Sequence, residues 1–298
     1  MSMYYKSDTV VFLDGQWMPA AEAQTSTYNQ TMHYGNGVFE GIRAYQNTDG
    51  CNVFKAKEHF ERLHYSASKM HMKLPYTVEE LIHISYELLD RNDLADAYIR
   101  PLVYSGMNMS LQPTAESHVF MAAWKWEKYL GDNPLNVVVS SYQRPNPKSC
   151  HVEAKVVGHY TNSILATTEA KQLGYDEALL LDMNGNVAEG PGSNFFYEKD
   201  GILYTPPCGS ILPGITRATV FELAKELDIT VVEKHFSVED IYKADTAFFV
   251  GTATEVAPIA SLNGEKFKGE WENSAGHNIY LMYRQKVRYN QYQGLTIV

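Results

Sequence analysis

The 298-residue sequence has few cysteines and no long apolar runs, and both absences exclude classes of protein. Its three cysteines, Cys51, Cys150 and Cys208, form no C-x-x-C pair, which argues against a disulfide scaffold or a zinc site and favours a reducing cytoplasm. The apolar run Ala178–Leu181 has the length of a strand and falls far short of a membrane span. The amino terminus lacks the basic and apolar regions of a secretory signal, so we expect none.

Positive charge is also scarce. The chain has 25 Lys and Arg against 35 Asp and Glu, a formal net charge of −10. A protein that binds duplex nucleic acid normally needs a basic face to neutralise phosphates, and no local run of the sequence provides one. We therefore expect a cytoplasmic protein whose partners include neither nucleic acid nor a membrane.

The local patterns that are present mix hairpins with helices. Turn pairs typical of tight hairpins separate strand-like runs at Asp14-Gly15, Asp49-Gly50, Asn184-Gly185, Asp200-Gly201 and Asn263-Gly264. Thr77-x-x-Glu80 predicts a capping box at a helix start. This mixture indicates an α+β chain, and its length favours two domains, which we predict as residues 1–127 and 136–298 joined by a linker at 128–135. Strands are predicted at Val10–Leu13, Tyr98–Tyr104, Val119–Trp124, Val137–Ser140 and Ala178–Asp182, and helices at Lys57–Met72, from Thr77, Ile164–Leu173, Thr216–Leu227 and Ser274–Val287.

Lys155 is the first candidate for chemistry. It lies among small and apolar neighbours between a predicted strand and a predicted helix. Loss of hydration there would lower the pKa of its amine and make it nucleophilic, so that it could hold an aldehyde cofactor as a Schiff base. Taken alone, the spacing favours a surface lysine at the end of a strand, because most lysines are solvated.

Three further segments are individually weak and gain meaning from their order. Glu189 begins the turn Glu189–Asn194 and is either a partner for a ring nitrogen or a solvated turn residue. Leu212–Arg217 and Gly251–Thr254 are either anion-binding loops or ordinary turns and caps. An amine, then a carboxylate, then two Gly/Thr loops are the components that a pyridoxal phosphate site needs.

Seven segments in order make the sequence resemble the fold-type IV pyridoxal phosphate enzymes, which include branched-chain and D-amino acid aminotransferases and aminodeoxychorismate lyases. The resemblance covers nearly the whole chain and implies two α/β domains of the D-amino acid aminotransferase-like architecture, with pyridoxal 5′-phosphate in the interdomain cleft. The segments that carry it are His33–Arg43, Glu58–His64, Tyr98–Leu102, the pair Lys155 and Tyr160, Glu189–Asn194, Leu212–Arg217 and Gly251–Ala253.

The resemblance assigns roles in cofactor binding. Lys155 is implied to form the Schiff base and to move the substrate proton, and Glu189 to pair with the pyridine nitrogen. Tyr160 is implied to bind the 3′ oxygen and Arg62 the phosphate. The cofactor site as a whole is implied to comprise Arg62, Lys155, Tyr160, Glu189, Gly192, Asn194, Leu212, Gly214, Ile215, Thr216 and Thr252.

The resemblance also implies a substrate pocket with aromatic walls for an aliphatic side chain. Arg100 is implied to bind the distal carboxylate of glutamate, and the loop at Thr252 and Ala253 the α-carboxylate. The pocket is implied to comprise Tyr34, Phe39, Gly41, Arg43, Tyr98, Arg100, Trp126, Tyr129, Thr252 and Ala253.

The expected activity is that of a branched-chain-amino-acid aminotransferase acting between L-leucine, L-isoleucine or L-valine and 2-oxoglutarate. A D-amino acid aminotransferase, an R-amine transaminase or an aminodeoxychorismate lyase on the same scaffold stays an alternative, and a non-catalytic binding protein is a more distant one. The resemblance further implies a homo-oligomer, either a dimer or a hexamer built from dimers, in which residues near Tyr34 and Met107–Leu111 reach the neighbouring site.

Overall fold

The chain is divided into two compact units in the computed structural model, which describes residues 4–48, 50–112, 116–126, 130–131 and 133–289. Unit 1 comprises Met1–Glu127 with Ala154–His159, and unit 2 comprises Lys128–Glu153 with Tyr160–Val298. The domain division at 128–135 stays a prediction, and it did not include the return of six residues to unit 1. Within the described ranges, no helix is long and apolar enough to cross a bilayer.

Unit 1 is an antiparallel sheet of seven strands with helices against it. Its elements are β1 (Val10–Leu13), β2 (Gln16–Pro19), α1 (Gln30–Tyr34), β3 (Gly37–Phe39), β4 (Ile42–Asn47), β5 (Gly50–Val53), α2 (Ala56–Lys69), α3 (Val78–Arg91), β6 (Ala97–Ser105) and β7 (Ser117–Trp124). The strand order is β2-β1-β7-β6-β4-β5, and β3 pairs with β6. Apolar residues of α2 and α3, such as Phe60, Leu63 and Leu81, are fully buried in its core.

Unit 2 is a mixed sheet of nine strands with four helices among its described residues. Its elements are β8 (Leu135–Gln143), α4 (Tyr160–Gln172), β9 (Glu177–Leu181), β10 (Val187–Glu189), β11 (Asn194–Lys199), β12 (Ile202–Thr205), α5 (Ile215–Glu226), β13 (Val231–Glu233), α6 (Val238–Ile241), β14 (Thr246–Gly251), β15 (Glu255–Leu262), β16 (Glu265–Lys266) and α7 (Ala275–Arg288).

The sheet of unit 2 closes on itself. Its order is β10-β9-β8-β15-β14-β11-β12-β13, and β10 also pairs with β11, so six strands form a ring. The closing register pairs Glu189 with Asn194, and Asn194 pairs on its other side with Val250. Neighbouring strands lie about 4.8 Å apart, so the loop between Glu189 and Asn194 and the loop after β14 lie at the same end of the ring.

Most local predictions are confirmed, and the α+β class with them. Thr77 and Glu80 form a complete capping box at the start of α3. The turns Asp14–Gly15, Asp200–Gly201 and Asn263–Gly264 have positive φ at both residues, as hairpin turns of type I′ require. These features depend on neighbours in the sequence, which is why the sequence predicts them.

Helix α4 differs from its prediction. It begins at Tyr160 rather than Ile164, after a 3₁₀ turn at Val157–His159. Its buried face is made of Ser163, Ala166 and Ala170, which pack against β9, while Ile164 remains 65% exposed. Because small residues form the buried side of α4, the positions of its large apolar residues predict the wrong start.

Candidate active site

Lys155 is held in unit 1 by its backbone. Its carbonyl accepts a hydrogen bond from the amide of Phe39 at 3.1 Å, and its amide donates to Ser66 Oγ at 3.0 Å. The flanking residues Ala154 and Val156 are buried in the core of the unit. Lys155 Nζ lies 5.0 Å from the centroid of the Phe39 ring, so the amine is placed beside a residue predicted to line the substrate pocket.

Four of the predicted substrate residues meet around Tyr98. Its ring stacks on Trp126 with 5.1 Å between centroids, and its hydroxyl accepts a hydrogen bond from Arg100 Nη2 at 3.0 Å. A Cβ added at Gly41 would lie 1.9 Å from Tyr98 Oη, so only glycine fits there. Tyr98 is buried against Trp124 and Trp126, which leaves it little freedom to move aside.

Arg100 is a cation enclosed by aromatic rings. Its Cζ lies 4.7 Å from the centroid of Phe39 and 5.2 Å from that of Tyr98. Its buried Nε has no hydrogen-bond acceptor among the described residues. Buried donors are normally satisfied, so this guanidinium has the chemistry of a receptor for an anionic oxygen.

The remaining predicted substrate residues of unit 1 differ in their surroundings. Arg43 lies opposite Tyr98 in the pairing of β4 with β6, and it is buried with its Cζ 5.1 Å from the Tyr45 ring. Tyr34 is half exposed, and its hydroxyl donates to the carbonyl of Met109 at 3.2 Å. Tyr129 lies outside the described residues.

An exposed apolar surface surrounds Tyr34. The segment 107–112 packs along α1, where Gln30 Nε2 donates to the Ser110 carbonyl at 2.7 Å and the Asn108 amide donates to the Tyr28 carbonyl at 3.0 Å. The large apolar side chains of this region point outward, and Leu111 is 88% exposed. We call Tyr28, Met32, Met107, Met109 and Leu111 the apolar surface.

Arg62 forms a buried ion pair that the sequence reasoning missed. Its Nε lies 2.7 Å from Glu40 Oε1 and its Nη2 lies 2.9 Å from Oε2. Glu40 also pairs with His59 Nδ1 at 2.8 Å, and both Glu40 and His59 are fully buried. Burial raises the pKa of Glu40, but Arg62 and His59 outweigh it and hold that pKa well below its usual range. Glu40 and His59 lie in two of the segments that carry the resemblance, but the resemblance implies a role for neither residue.

Glu189 and Asn194 come together where the ring of strands closes. Asn194 Nδ2 donates to Glu189 Oε2 at 2.9 Å and to the Leu212 carbonyl at 2.9 Å, while the Leu212 amide donates to Glu189 Oε1 at 3.1 Å. Glu189 is buried. A buried carboxylate held by several donors suits the pyridine nitrogen of the implied cofactor, whose N–H would be one more donor.

Arg144 is a second residue that the sequence reasoning missed. Its Nε lies 2.9 Å from Glu189 Oε1, and the Arg144 side chain is buried. The angle at Nε does not make this contact a hydrogen bond, so it is an ion pair by distance. A cation beside Glu189 favours the ionised form of the carboxylate. Arg144 follows the carboxyl end of β8, and Glu189 is the last residue of β10. Their contact depends on how these two strands lie in the sheet, which the spacing of the two residues in the sequence does not indicate.

The start of α5 has the donors that a phosphate needs. Gly214 is its N-cap and provides no side-chain cap, so amides of the first turn, including Ile215 and Thr216, have no side-chain acceptor at the cap position. A Cβ at Gly214 would lie 1.9 Å from Asn194 Oδ1, which keeps this loop against the Glu189 region. The donor set therefore fits an anion of the size of a phosphate.

The remaining predicted residues of unit 2 adjoin this region. A Cβ at Gly251 would lie 3.1 Å from the Gly192 carbonyl, so the loop that contains Thr252 and Ala253 adjoins the turn after Glu189. Tyr160 is the first residue of α4, and Ser163 of the same helix donates to the Pro191 carbonyl at 2.6 Å. The cofactor residues predicted in unit 2 thus lie on adjoining loops of that unit, whereas Lys155 and Arg62 belong to unit 1.

The chain is similar to known proteins over most of its length. Residues 37–262 match the family described as amino-transferase class IV. A branched-chain-amino-acid aminotransferase of Pseudomonas aeruginosa is 42% identical over 265 residues, covering 87% of this chain and 86% of the relative.

Solved structures give the same picture. The branched-chain aminotransferase of the archaeon Thermoproteus uzoniensis, determined with norvaline, has a TM-score of 0.90 and 40% identity over 94% of each chain. The branched-chain amino acid aminotransferase of Thermobaculum terrenum in its PLP form has a TM-score of 0.88 and 32% identity over 95% of each chain. The expected architecture is therefore confirmed by structures at substantial sequence identity.

Proposed function

We propose that this chain, which belongs to the class IV aminotransferase family, transfers the amino group of L-leucine, L-isoleucine or L-valine to 2-oxoglutarate. The observation that carries the proposal is the 42% identity, over 87% of the chain, to a relative named for this activity. The aromatic enclosure of Arg100 supports it independently, as it joins an apolar wall to a cation in one place.

Pyridoxal 5′-phosphate is the proposed cofactor, as the family and the PLP form of a related structure imply. When bound, it supplies an aldehyde that can take up an amine and a ring that can accept electrons from the substrate Cα. Ile215 and Thr216 amides, Thr252 and Arg62 would bind the phosphate, Tyr160 the 3′ oxygen, and Glu189 the ring nitrogen, with Gly192, Asn194, Leu212 and Gly214 shaping the loops.

Lys155 is the proposed catalytic residue. Its Nζ would move a proton between the substrate Cα and the cofactor C4′, as a general base and acid. Phe39, whose amide bonds the Lys155 carbonyl, would keep the backbone of the lysine fixed while its side chain moves. A fixed backbone and a mobile amine suit a lysine whose Nζ must reach both positions of the proton transfer.

Two kinds of substrate can bind in the same pocket because its walls combine aromatic rings with a cation. Phe39, Tyr98 and Trp126 would contact an aliphatic side chain, and Arg100 would bind the distal carboxylate of glutamate. Desolvating that carboxylate is unfavourable unless a cation with free donors receives it, and Arg100 has a buried Nε with no acceptor in the described part of the chain. Tyr34 and Arg43 are proposed as further residues of the pocket, and the loop at Thr252 and Ala253 as the site of the α-carboxylate.

Assembly as a homodimer, or as a hexamer built from dimers, is part of the proposal. The apolar surface groups five large side chains around Tyr34, and contiguous exposed apolar groups mark interaction sites. Burying them against a second copy would bring the Tyr34 region to a neighbouring site. We also propose that the enzyme works in the cytoplasm, as the sparse cysteines predict.

The test is a spectral half-reaction titration of the purified holoenzyme with L-leucine, L-glutamate, D-alanine and an R-amine. We expect the cofactor band to shift with L-leucine and L-glutamate and to stay unchanged with the other two donors. Conversion by D-alanine without conversion by L-leucine would contradict the proposal and favour a D-amino acid aminotransferase. A lysine control, Lys155→Ala, should lose the cofactor that borohydride can fix.

A further inference from the structure

Glu40, His59 and Arg62 form a cluster in which Arg62 has more contacts within the protein than binding a phosphate would require. Glu40 lies at the junction between β3 and β4, and its two partners lie one turn apart on α2. Arg62 contacts both carboxylate oxygens, at 2.7 and 2.9 Å, and His59 Nδ1 lies 2.8 Å from Oε2. The carboxylate therefore joins the strand junction to one face of the helix.

The electrostatics make Glu40 a permanent anion. Its side chain is wholly inaccessible to solvent, and the Arg62 side chain is 12% exposed. Burial lowers the pKa of His59, more than Glu40 raises it, so the imidazole serves as a neutral N–H donor at neutral pH. Arg62 and Glu40 are thus an ion pair, and the orientation of the guanidinium is fixed by two parallel bonds.

From this geometry we propose that Glu40 is a positioning residue for the cofactor phosphate, acting through Arg62. The inference rests on the proposed function. A guanidinium has five N–H groups, so it can bind Glu40 along one edge and an anionic oxygen along another. Arginine side chains lose much rotamer freedom when they bind, and Glu40 removes that freedom before the cofactor arrives.

The experiment compares two ligands that differ only in the phosphate, pyridoxal phosphate and pyridoxal. Their affinities for the full-length apoenzyme are measured by fluorescence titration, without amino acid substrate, for the parent protein and for Glu40→Gln. We expect Glu40→Gln to lose about ten- to a hundredfold in affinity for pyridoxal phosphate, the range of a charge-assisted bond, and less than about twofold for pyridoxal.

Two further variants test the route through Arg62. Arg62→Met should lose the same preference for the phosphorylated ligand, and the double variant should lose no more than Arg62→Met alone. Glu198→Gln is the matched control, because Glu198 is a buried carboxylate of unit 2 that accepts from the Ala275 amide at 2.9 Å. It should change thermal stability and leave the ratio of the two affinities unchanged.

Equal losses for both ligands, or no loss for either, would overturn the proposal and leave Glu40 a structural residue. If Glu40→Gln does not fold, His59→Phe removes one of the two groups that hold the carboxylate, and a loss of about two- to tenfold confined to pyridoxal phosphate is expected. Failure of the parent protein to prefer pyridoxal phosphate would overturn the proposed cofactor and this inference together, whereas a change of amino acid specificity would affect neither.

Discussion

At the scale of single residues, the charged side chains of the candidate site divide into those with a charged partner among the described residues and one, Arg100, that we propose to bind a ligand. Glu40 and Arg62 satisfy each other, and Arg144 lies beside Glu189. Arg100 instead has aromatic rings around it and one hydrogen bond, to Tyr98. Arg100 is half-buried, and its buried Nε has no acceptor among the described residues, so a bound anionic oxygen would satisfy it.

Replacing Arg100 with methionine should separate the two substrates. Loss of a charge-assisted bond should slow the glutamate half-reaction about ten- to a hundredfold, while the leucine half-reaction stays within about tenfold because methionine keeps most of the apolar stem. Single-turnover kinetics with each donor measure both. Arg91→Met is the control, since Arg91 also lies over an aromatic ring of unit 1, that of Trp17 at 4.7 Å, at an exposed position of α3. Equal losses for both donors in Arg100→Met would make Arg100 structural.

Replacing Glu189 with glutamine should impair chemistry more than binding. Glutamine can keep contacts with Asn194 and Leu212, but it lacks the charge that keeps a bound pyridine nitrogen protonated. We expect the cofactor to stay bound and the proton-abstraction step with L-leucine to slow by at least about a hundredfold. Stopped-flow spectra give both quantities. A rate within a few-fold of the parent would show that Glu189 has another role.

At the scale of elements, local signals were predictable from the sequence and long-range pairings were not. The Thr77 capping box and the Asp14–Gly15 turn are set by residues a few positions apart. Glu40 and Arg62 are 22 residues apart, and they pair only because the β3–β4 junction meets α2. The pairing of Asn194 with Val250 joins strands β11 and β14 and depends on the order of strands around the ring, which no local pattern specifies.

The candidate site follows the same division. Lys155, Glu189 and the α5 start were found from residue type and order, and their roles came from the resemblance. Arg144 was missed, because its contact with Glu189 spans 45 positions of sequence and two strands. Those assigned roles remain predictions, whereas the family and the α+β architecture are confirmed.

Strand β9 offers a test of stability against pH. Glu177 is buried, and burial raises its pKa despite bonds from the Ala178 amide and Thr167. The folded state then binds the proton more tightly than the unfolded state, so its ionisation lowers the free energy of unfolding as the pH rises through the folded-state pKa. Glu177→Gln should therefore be more stable than the parent at pH 8, and the difference should vanish below the unfolded pKa of about 4.3.

Urea unfolding of both proteins between pH 4 and pH 8 measures this difference. The half-reaction rate with L-leucine should be unchanged in Glu177→Gln, which makes it the matched control for Glu189→Gln on the adjoining strand β10. A constant stability difference across the pH range would show that the ionisation of Glu177 does not contribute.

At the scale of the whole molecule, the apolar surface is the feature that a single chain leaves unexplained. Leu111 is 88% and Met107 67% exposed, and both belong to the segment that packs along α1. A charge introduced there would have to be buried in the proposed dimer. The free energy of that burial amounts to several kcal/mol per ion, which would weaken association by orders of magnitude.

Leu111→Glu, combined with Met32→Glu, should therefore reduce the sedimenting species from a dimer or larger to a single chain. Analytical ultracentrifugation at micromolar concentration measures this. Ile164→Glu is the control, because Ile164 is an exposed apolar residue of unit 2, and the dimer should persist in it. A double variant that remains a dimer would place the interface elsewhere.

The return of Ala154–His159 to unit 1 bears on how the protein is made. Ala154 and Val156 belong to the core of that unit, so a nascent chain that has left the ribosome only as far as residue 127 cannot complete it. Translation from residue 128 to His159, the end of the returning segment, adds 32 residues and takes roughly 2–6 s at about 5–20 residues per second. During that interval the first 127 residues wait with an open edge along β3, and the segment that seals it carries Lys155. The segment that completes the core of unit 1 in each new chain thus also places Lys155 in that unit.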